Sequence, residues 1–215
     1  MSIFGTKSSM VAPENALAGR TSPVLPHPAP HTVLGTSLTG PWPEGTEVIY
    51  LALGCFWGAE EIYWRMPGVV TTSVGYMGGY TPNPTYEEVC SGRTGQTETV
   101  MVAYDPAVLP TYEILKAFWE NHDPTQGYRQ GNDIGTQYRS AIFTTTAEQA
   151  DLARRTRDAY AAVIAQRGYP DITTEIDPAA EATYYLAEDY HQQYLYKNPN
   201  GYRCHANTGL ALPAL

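Results

Sequence analysis

One short stretch sets the architecture. The apolar run Val48-Ile49-Tyr50-Leu51-Ala52-Leu53 is closed by Gly54 and followed at once by Ile62, Tyr63 and Met66 at helical spacing. A run this short reads as a buried strand, and the change of period across a single glycine predicts strand, tight turn and helix in order. Pro67-Gly68 stops the helix, which gives it an expected span of 56–66. A strand and a helix joined so closely must each bury a face, which commits the chain to a layered α/β or α+β fold.

The alternation continues. Residues 69–74 read as a second strand and the Gly- and Pro-rich stretch 75–84 as a loop leading to a short helix at 85–90. Residues 96–104 alternate like a half-buried strand ended by Asp105-Pro106, and 112–120 carries Ile114, Leu115, Phe118 and Trp119 at helical spacing. A strand is expected at 139–144. A long helix follows at 146–166, opened by a Thr146 and Gln149 capping box. A strand near 172–176, a short helix near 188–196 and an irregular end complete the pattern. Ahead of it, Pro23, Pro26, Pro28 and Pro30 alternate with small and polar residues, a composition that favours extended chain, loose or laid over the surface. The expected organisation is a Pro-rich arm (1–45), one catalytic domain (46–197) and an irregular tail (198–215).

With 13 Lys and Arg against 22 Asp and Glu, the net charge of -9 leaves no basic stripe, so nucleic acid and anionic membranes are not expected partners. No apolar run approaches the roughly 20 residues of a membrane span, and the N-terminus lacks the layout of a signal peptide. Three cysteines, Cys55, Cys90 and Cys204, are too few for a disulfide framework and point to a reducing, cytoplasmic setting. Cys204 beside His205 has no further ligands at zinc spacing, so neither a metal nor another cofactor is expected.

Cys55 falls where the strand meets the helix. There, unpaired backbone N–H groups and the helix dipole favour thiolate. Lowering an ordinary thiol pKa by about two units would raise the ionised fraction at pH 7 from about 3% to roughly three quarters. Position alone leaves two readings, a nucleophile or a small buried hydrophobe.

The residues around it carry a resemblance. Gly54-Cys55-Phe56-Trp57-Gly58 resembles the G-C-F-W-G signature of the peptide methionine sulfoxide reductase A family. The same family is matched by Gly75-Tyr76-Met77-Gly78-Gly79-Tyr80, Thr85-Tyr86-Glu87-Glu88-Val89-Cys90-Ser91-Gly92, Thr97-Glu98, Phe118-Trp119-Glu120-Asn121-His122-Asp123-Pro124, Gly135-Thr136-Gln137-Tyr138-Arg139-Ser140 and His191-Gln192-Gln193-Tyr194. The resemblance spans about 45–202 in unbroken order. It implies a two-layer α+β sandwich on a split βαβ, ferredoxin-like core, and reduction of methionine S-sulfoxide, free or in proteins.

The resemblance also implies roles. Cys55 attacks the sulfoxide sulfur and Glu98, raised by desolvation, protonates the oxygen. Tyr86 and Tyr138 bond that oxygen as neutral donors. Phe56 and Trp57 receive the substrate methyl, and Asp133 and His191 supply a polar surround. Cys90 is expected to be buried and inert. The Cys55 sulfenic acid is resolved by Cys204, and the disulfide is reduced by thioredoxin, or by a glutaredoxin-like or low-molecular-weight thiol system. Here the chain departs from the family. It reads Gly201-Tyr202-Arg203-Cys204 with no later cysteine, where many members carry Gly-Tyr-Cys and a second tail cysteine. A monomer is expected. Two other classes stay open on residues alone: a cysteine hydrolase or transferase using Cys55 with His191 as base, and a thiol-bearing binding module without chemistry.

Overall fold

The computed structural model describes residues 8–204 and 206–215. In chain order its elements are β1 Glu47–Leu53, α1 Phe56–Trp64, β2 Val69–Met77, α2 Tyr86–Cys90, β3 Thr97–Tyr104, α3 Thr111–Glu120, β4 Arg129–Gln130, β5 Asp133–Ile134, β6 Ser140–Thr144, α4 Ala147–Ala165, β7 Glu175–Pro178, β8 Tyr185–Leu186 and α5 Tyr194–Lys197. Six strands form one sheet in the order β7-β6-β1-β3-β2-β8. Both β1 and β2 run antiparallel to β3, which lies between them, so they are parallel to each other and joined by α1. This is the split βαβ unit of the expected α+β sandwich.

Side chains alternate across the strands. Ile49, Leu51, Leu53, Val74, Tyr76, Val100, Val102 and Tyr104 point into one core with Phe56, Ala59 and Tyr63 of α1, Ile114, Phe118 and Trp119 of α3, and Tyr160 and Ile164 of α4. Each such large side chain removed from water contributes roughly 1.5–3 kcal/mol. Ala52, Met77, Ala141 and Phe143 form a smaller cluster, with Tyr50 and Tyr184 packed against it.

Several expectations change on tertiary grounds. Residues of β3 are buried at every position, not on alternate ones, because the strand is central and covered on both faces. β2 continues through Gly75, where a Cβ would lie 2.3 Å from the Tyr185 carbonyl oxygen, so a glycine lets β8 pair there. The strand near 172–176 is displaced to β7, parallel to β6. In the capping box, Thr146 Oγ1 accepts from Gln149 N (3.1 Å), but the Gln149 side chain accepts from Thr145 N instead and donates to the Val48 carbonyl.

The arm, from residue 8, lies on the domain. Leu17 N donates to the Arg93 carbonyl, Arg20 pairs with Glu88 (2.8 Å), and Leu38 is buried. His31, also buried, shares a 2.9 Å hydrogen bond with Thr72 Oγ1, whose hydroxyl donates to Glu60. Glu60, on α1, also accepts from Gln193 N (2.9 Å) and Gln193 Nε2 (2.8 Å). Gln193 adopts the left-handed conformation (φ 48°), which splits the expected helix at 188–196 into a 3-10 turn at Asp189–His191 and the short α5.

Candidate active site

Cys55 is the N-cap of α1 and is 9% exposed. The turn before it needs Gly54, with φ 95° and Gln130 Cγ only 2.7 Å from where a Cβ would stand. Backbone N–H groups of Trp57 and Gly58 favour the thiolate without forming a full capping bond, whereas burial and then the charge of Glu98 oppose it. Opposition wins. The thiol lies well above its ordinary range, which corrects the expectation of a helix-stabilised thiolate: the helix N-terminus is there, but water is not.

Glu98, second residue of β3, shares the core face with Val100 and Val102 and meets the start of α1, where Phe56 N donates to its Oε2 (3.0 Å). Burial pushes its carboxyl up to about 8, aided by the charge of Asp133 and opposed by the Phe56 amide. At pH 7 about nine in ten such carboxyls hold their proton. Cys55 and Glu98 therefore rest as a neutral pair.

Aromatic rings wall this pair. Trp57 stacks on Tyr194 (3.9 Å between ring centres, 15°) and donates its indole N–H to His191 Nδ1 (2.9 Å). Since Nδ1 accepts, the neutral imidazole carries its proton on Nε2. That atom is buried without a hydrogen-bond partner, 3.8 Å from Glu188 Oε2. Burial lowers His191 to about 4. Its ring lies 5.1 Å from Phe56 and 4.5 Å from Tyr86.

Tyr86 opens α2 behind a closed Thr85 and Glu88 capping box, and Tyr138 ends a 3-10 turn at Thr136–Tyr138 before β6. Burial first, and then the charge of Glu98, hold both hydroxyls in the neutral form. The Tyr86 hydroxyl also bonds Cys90, which is half-buried and engaged, not a sealed core thiol. Asp133, on β5, is raised by burial and accepts from the Tyr202 hydroxyl (3.1 Å). Its charge reaches Cys55, Glu98 and Tyr138.

On the other side of the thiol lies a cavity of about 170 Å³, lined by Cys55, Gly58, Gln130, Arg203 and Cys204 among others. Cys204 is half-buried and its Sγ donates to the Gln130 carbonyl (3.6 Å). His205 lies outside the described residues.

Sequence reasoning missed four supports. Glu188 fixes Tyr86 through its backbone N–H (2.8 Å) and Tyr76 through its hydroxyl (3.0 Å), Tyr194 stacks on Trp57, and Glu60 holds Gln193, which lies in the chain between His191 and Tyr194. Only the three-residue spacing of Glu188 and His191 hinted at this. The assembly places a thiol, a protonated carboxyl and two neutral phenols against an apolar wall. It can attack a soft centre while protonating an oxygen that leaves it. A Cys-His hydrolase needs a base bonded to its thiol, whereas His191 spends Nδ1 on Trp57 and leaves Nε2 unpartnered.

Among the described residues no helix is long and apolar enough to cross a membrane. The family model described as peptide methionine sulfoxide reductase matches residues 47–214. A relative from Salinispora tropica named peptide methionine sulfoxide reductase MsrA is 61% identical over 211 residues, covering 97% of this chain and 94% of its own length. One of the same name from Corynebacterium efficiens is 58% identical over 207 residues, covering 96% and 95%. Among solved structures, methionine sulfoxide reductase A of Corynebacterium diphtheriae superposes with a TM-score of 0.87 at 53% identity, covering 96% of this chain and all of that one. Reduced Mxr1 from Saccharomyces cerevisiae gives 0.69 at 35%, covering 76% and 91%. The chain belongs to the peptide methionine sulfoxide reductase family.

Proposed function

Starting from membership of this family, we propose that Cys55 attacks the sulfur of a methionine S-sulfoxide while Glu98 gives its proton to the oxygen. The enzyme is an oxidoreductase that reduces methionine sulfoxide to methionine at the expense of thiols. Attack bonds the Cys55 sulfur to the substrate sulfur, and the thiol proton replaces the one Glu98 gave. The protonated oxygen then passes to the Cys55 sulfur as both its bond to the substrate sulfur and the new sulfur–sulfur bond break, which gives a Cys55 sulfenic acid and methionine. Methionine leaves. A neutral resting pair suits this exchange, because the proton is already on the acid when the substrate arrives.

Tyr86 and Tyr138 donate to the oxygen as charge develops on it, Phe56 and Trp57 receive the methyl group, and the free Nε2–H of His191 with Asp133 supplies a polar surround for the oxygen until it leaves as water in the next step. The sulfenic acid condenses with the Cys204 thiol to give a disulfide and water. A thioredoxin-type dithiol, or a glutaredoxin-like or small-thiol system, then reduces it by exchange. The reading includes a cytoplasmic monomer whose catalytic domain is 46–197 between arm and tail. One observation carries it: a buried, protonated Glu98 bonded to the amide of the residue after Cys55. The test is methionine release from free methionine S-sulfoxide with dithiothreitol, the R epimer serving as control. No methionine from the S epimer overturns the reading.

A further inference from the structure

Among the described residues, Arg203 ties the tail of this chain to the helix that Cys55 caps. Arg203, immediately before Cys204, donates through Nε to Glu61 Oε2 (2.7 Å) and through Nη2 to Glu61 Oε1 (3.0 Å), a two-point fork on the side of α1. Its remaining nitrogen, Nη1, donates to the Pro199 and Gly201 carbonyls, so the same guanidinium folds the preceding turn. Glu61 Oε1 is shared with Arg65 one helical turn on (2.7 Å). Glu61, Arg203, Cys55 and Cys204 all line the cavity between the two thiols. Gly58, on the same stretch of α1, has nothing within 4 Å of an added Cβ and leaves that space open.

We propose that Arg203 is a positioning residue for the recycling step, its fork on Glu61 holding the Cys204 thiol at the cavity that opens onto Cys55. The proposal rests on Cys204 as the resolving thiol. Tyr202 before Cys204 bonds Asp133 and Leu212 beyond it is buried, so the tail is held near the domain at both ends. The fork narrows the volume the thiol between them explores, and the rate of a ring-closing reaction follows the concentration of one end at the other. An arginine fork restricts direction as well as distance, which a single ammonium would not. The clamp acts after methionine has formed. The step it speeds is attack of the Cys204 sulfur on the Cys55 sulfenic sulfur, forming the disulfide and releasing the hydroxyl with the Cys204 proton as water.

The experiment mixes the fully reduced, full-length protein with one equivalent of methionine S-sulfoxide. The reaction is quenched with acid and an alkylating reagent, and methionine and the Cys55 to Cys204 disulfide peptide are measured over time. Arg203→Ala and Glu61→Ala should release methionine at the wild-type rate but form the disulfide about three- to fivefold more slowly, the upper range for an ion pair of this exposure. Arg203→Lys should fall between. The double variant Glu61→Arg with Arg203→Glu should recover most of the rate. About 1 M salt should slow wild type toward the Arg203→Ala rate while leaving that variant unchanged. Wild-type disulfide rates in both alanine variants, or failure of the charge swap to recover, overturn the clamp alone. Absence of the Cys55 to Cys204 peptide in the wild type overturns the resolving role of Cys204, and the clamp with it.

Discussion

Replacing Glu98 by Gln separates two consequences of one buried carboxyl. The amide keeps an oxygen to accept the Phe56 N–H but has no proton to give. Single-turnover methionine formation at pH 7 should therefore fall by about 10²- to 10⁴-fold, roughly 3–5 kcal/mol of barrier. Stability moves the other way. Folding raises this carboxyl from 4.5 to about 8, by burial first. A group raised on folding contributes stability that is complete below its unfolded value and is lost as pH rises toward its folded value. Between pH 4.5 and 7 the unfolded chain gains ionisation that the folded chain does not, about 3 kcal/mol at 1.36 kcal/mol per unit. The uncharged amide of the variant never incurs that loss. The melting temperature of the variant relative to wild type should therefore climb by about 6–12 °C over this interval for a chain of this length. Thermal unfolding by circular dichroism in half-unit pH steps, beside the single-turnover assay, checks both. A melting difference that ignores pH would refute the buried, protonated carboxyl, and an undiminished rate would refute the proton donor.

Cys55→Ser should abolish methionine formation with the fold intact, because a hydroxyl lacks the redox chemistry; activity above about 1% of wild type would remove Cys55 as nucleophile. Cys204→Ser should release about one methionine per enzyme and then stall with thioredoxin, while a small thiol still reaches the sulfenic acid; normal turnover with thioredoxin would exclude a tail-thiol route. His191→Phe takes the acceptor from the Trp57 indole and should raise KM about fivefold or more. Its pH profile between 5 and 8 should match wild type, because burial holds His191 near 4 and the ring is neutral throughout. Loss of a limb near pH 6.5 in the variant would show instead that the imidazole titrates in catalysis.

What could be read from the residues was what neighbours in sequence decide. The strand, the Gly54 turn and the helix start at Phe56 are fixed by an apolar run and a positive φ, both local properties. The arm was only half legible. Its prolines forecast extended chain, but the burial of His31 and Leu38 depends on surfaces built by later residues. The break at Gln193 was invisible because its left-handed conformation is held by Glu60, a residue 133 positions earlier. Glu98 and Cys55 illustrate the same limit in electrostatics. A helix N-terminus can be located from sequence, but the desolvation that outweighs it at Cys55 is a property of the closed core. Glu188 was marked only by its three-residue spacing from His191 and Tyr194 only by its place in a family-like segment, since each matters through a ring or an amide that the fold brings to it.

The contacts between the arm and the Gln193 turn also bear on how the protein is made. Thr32 N donates to Gln193 Oε1 across 161 residues. On a ribosome adding about 5–20 residues per second, the arm emerges roughly 8–30 seconds before its partner exists. Over that interval its closely spaced prolines favour extended chain. The Glu60 carboxylate, meanwhile, lacks the two Gln193 donors that satisfy it in the finished fold. A nascent chain halted before His191 would already contain Cys55, Glu98 and Tyr138, yet Trp57 would have neither His191 nor Tyr194 to seat it. The wall beside Cys55 is thus completed only when translation is nearly finished.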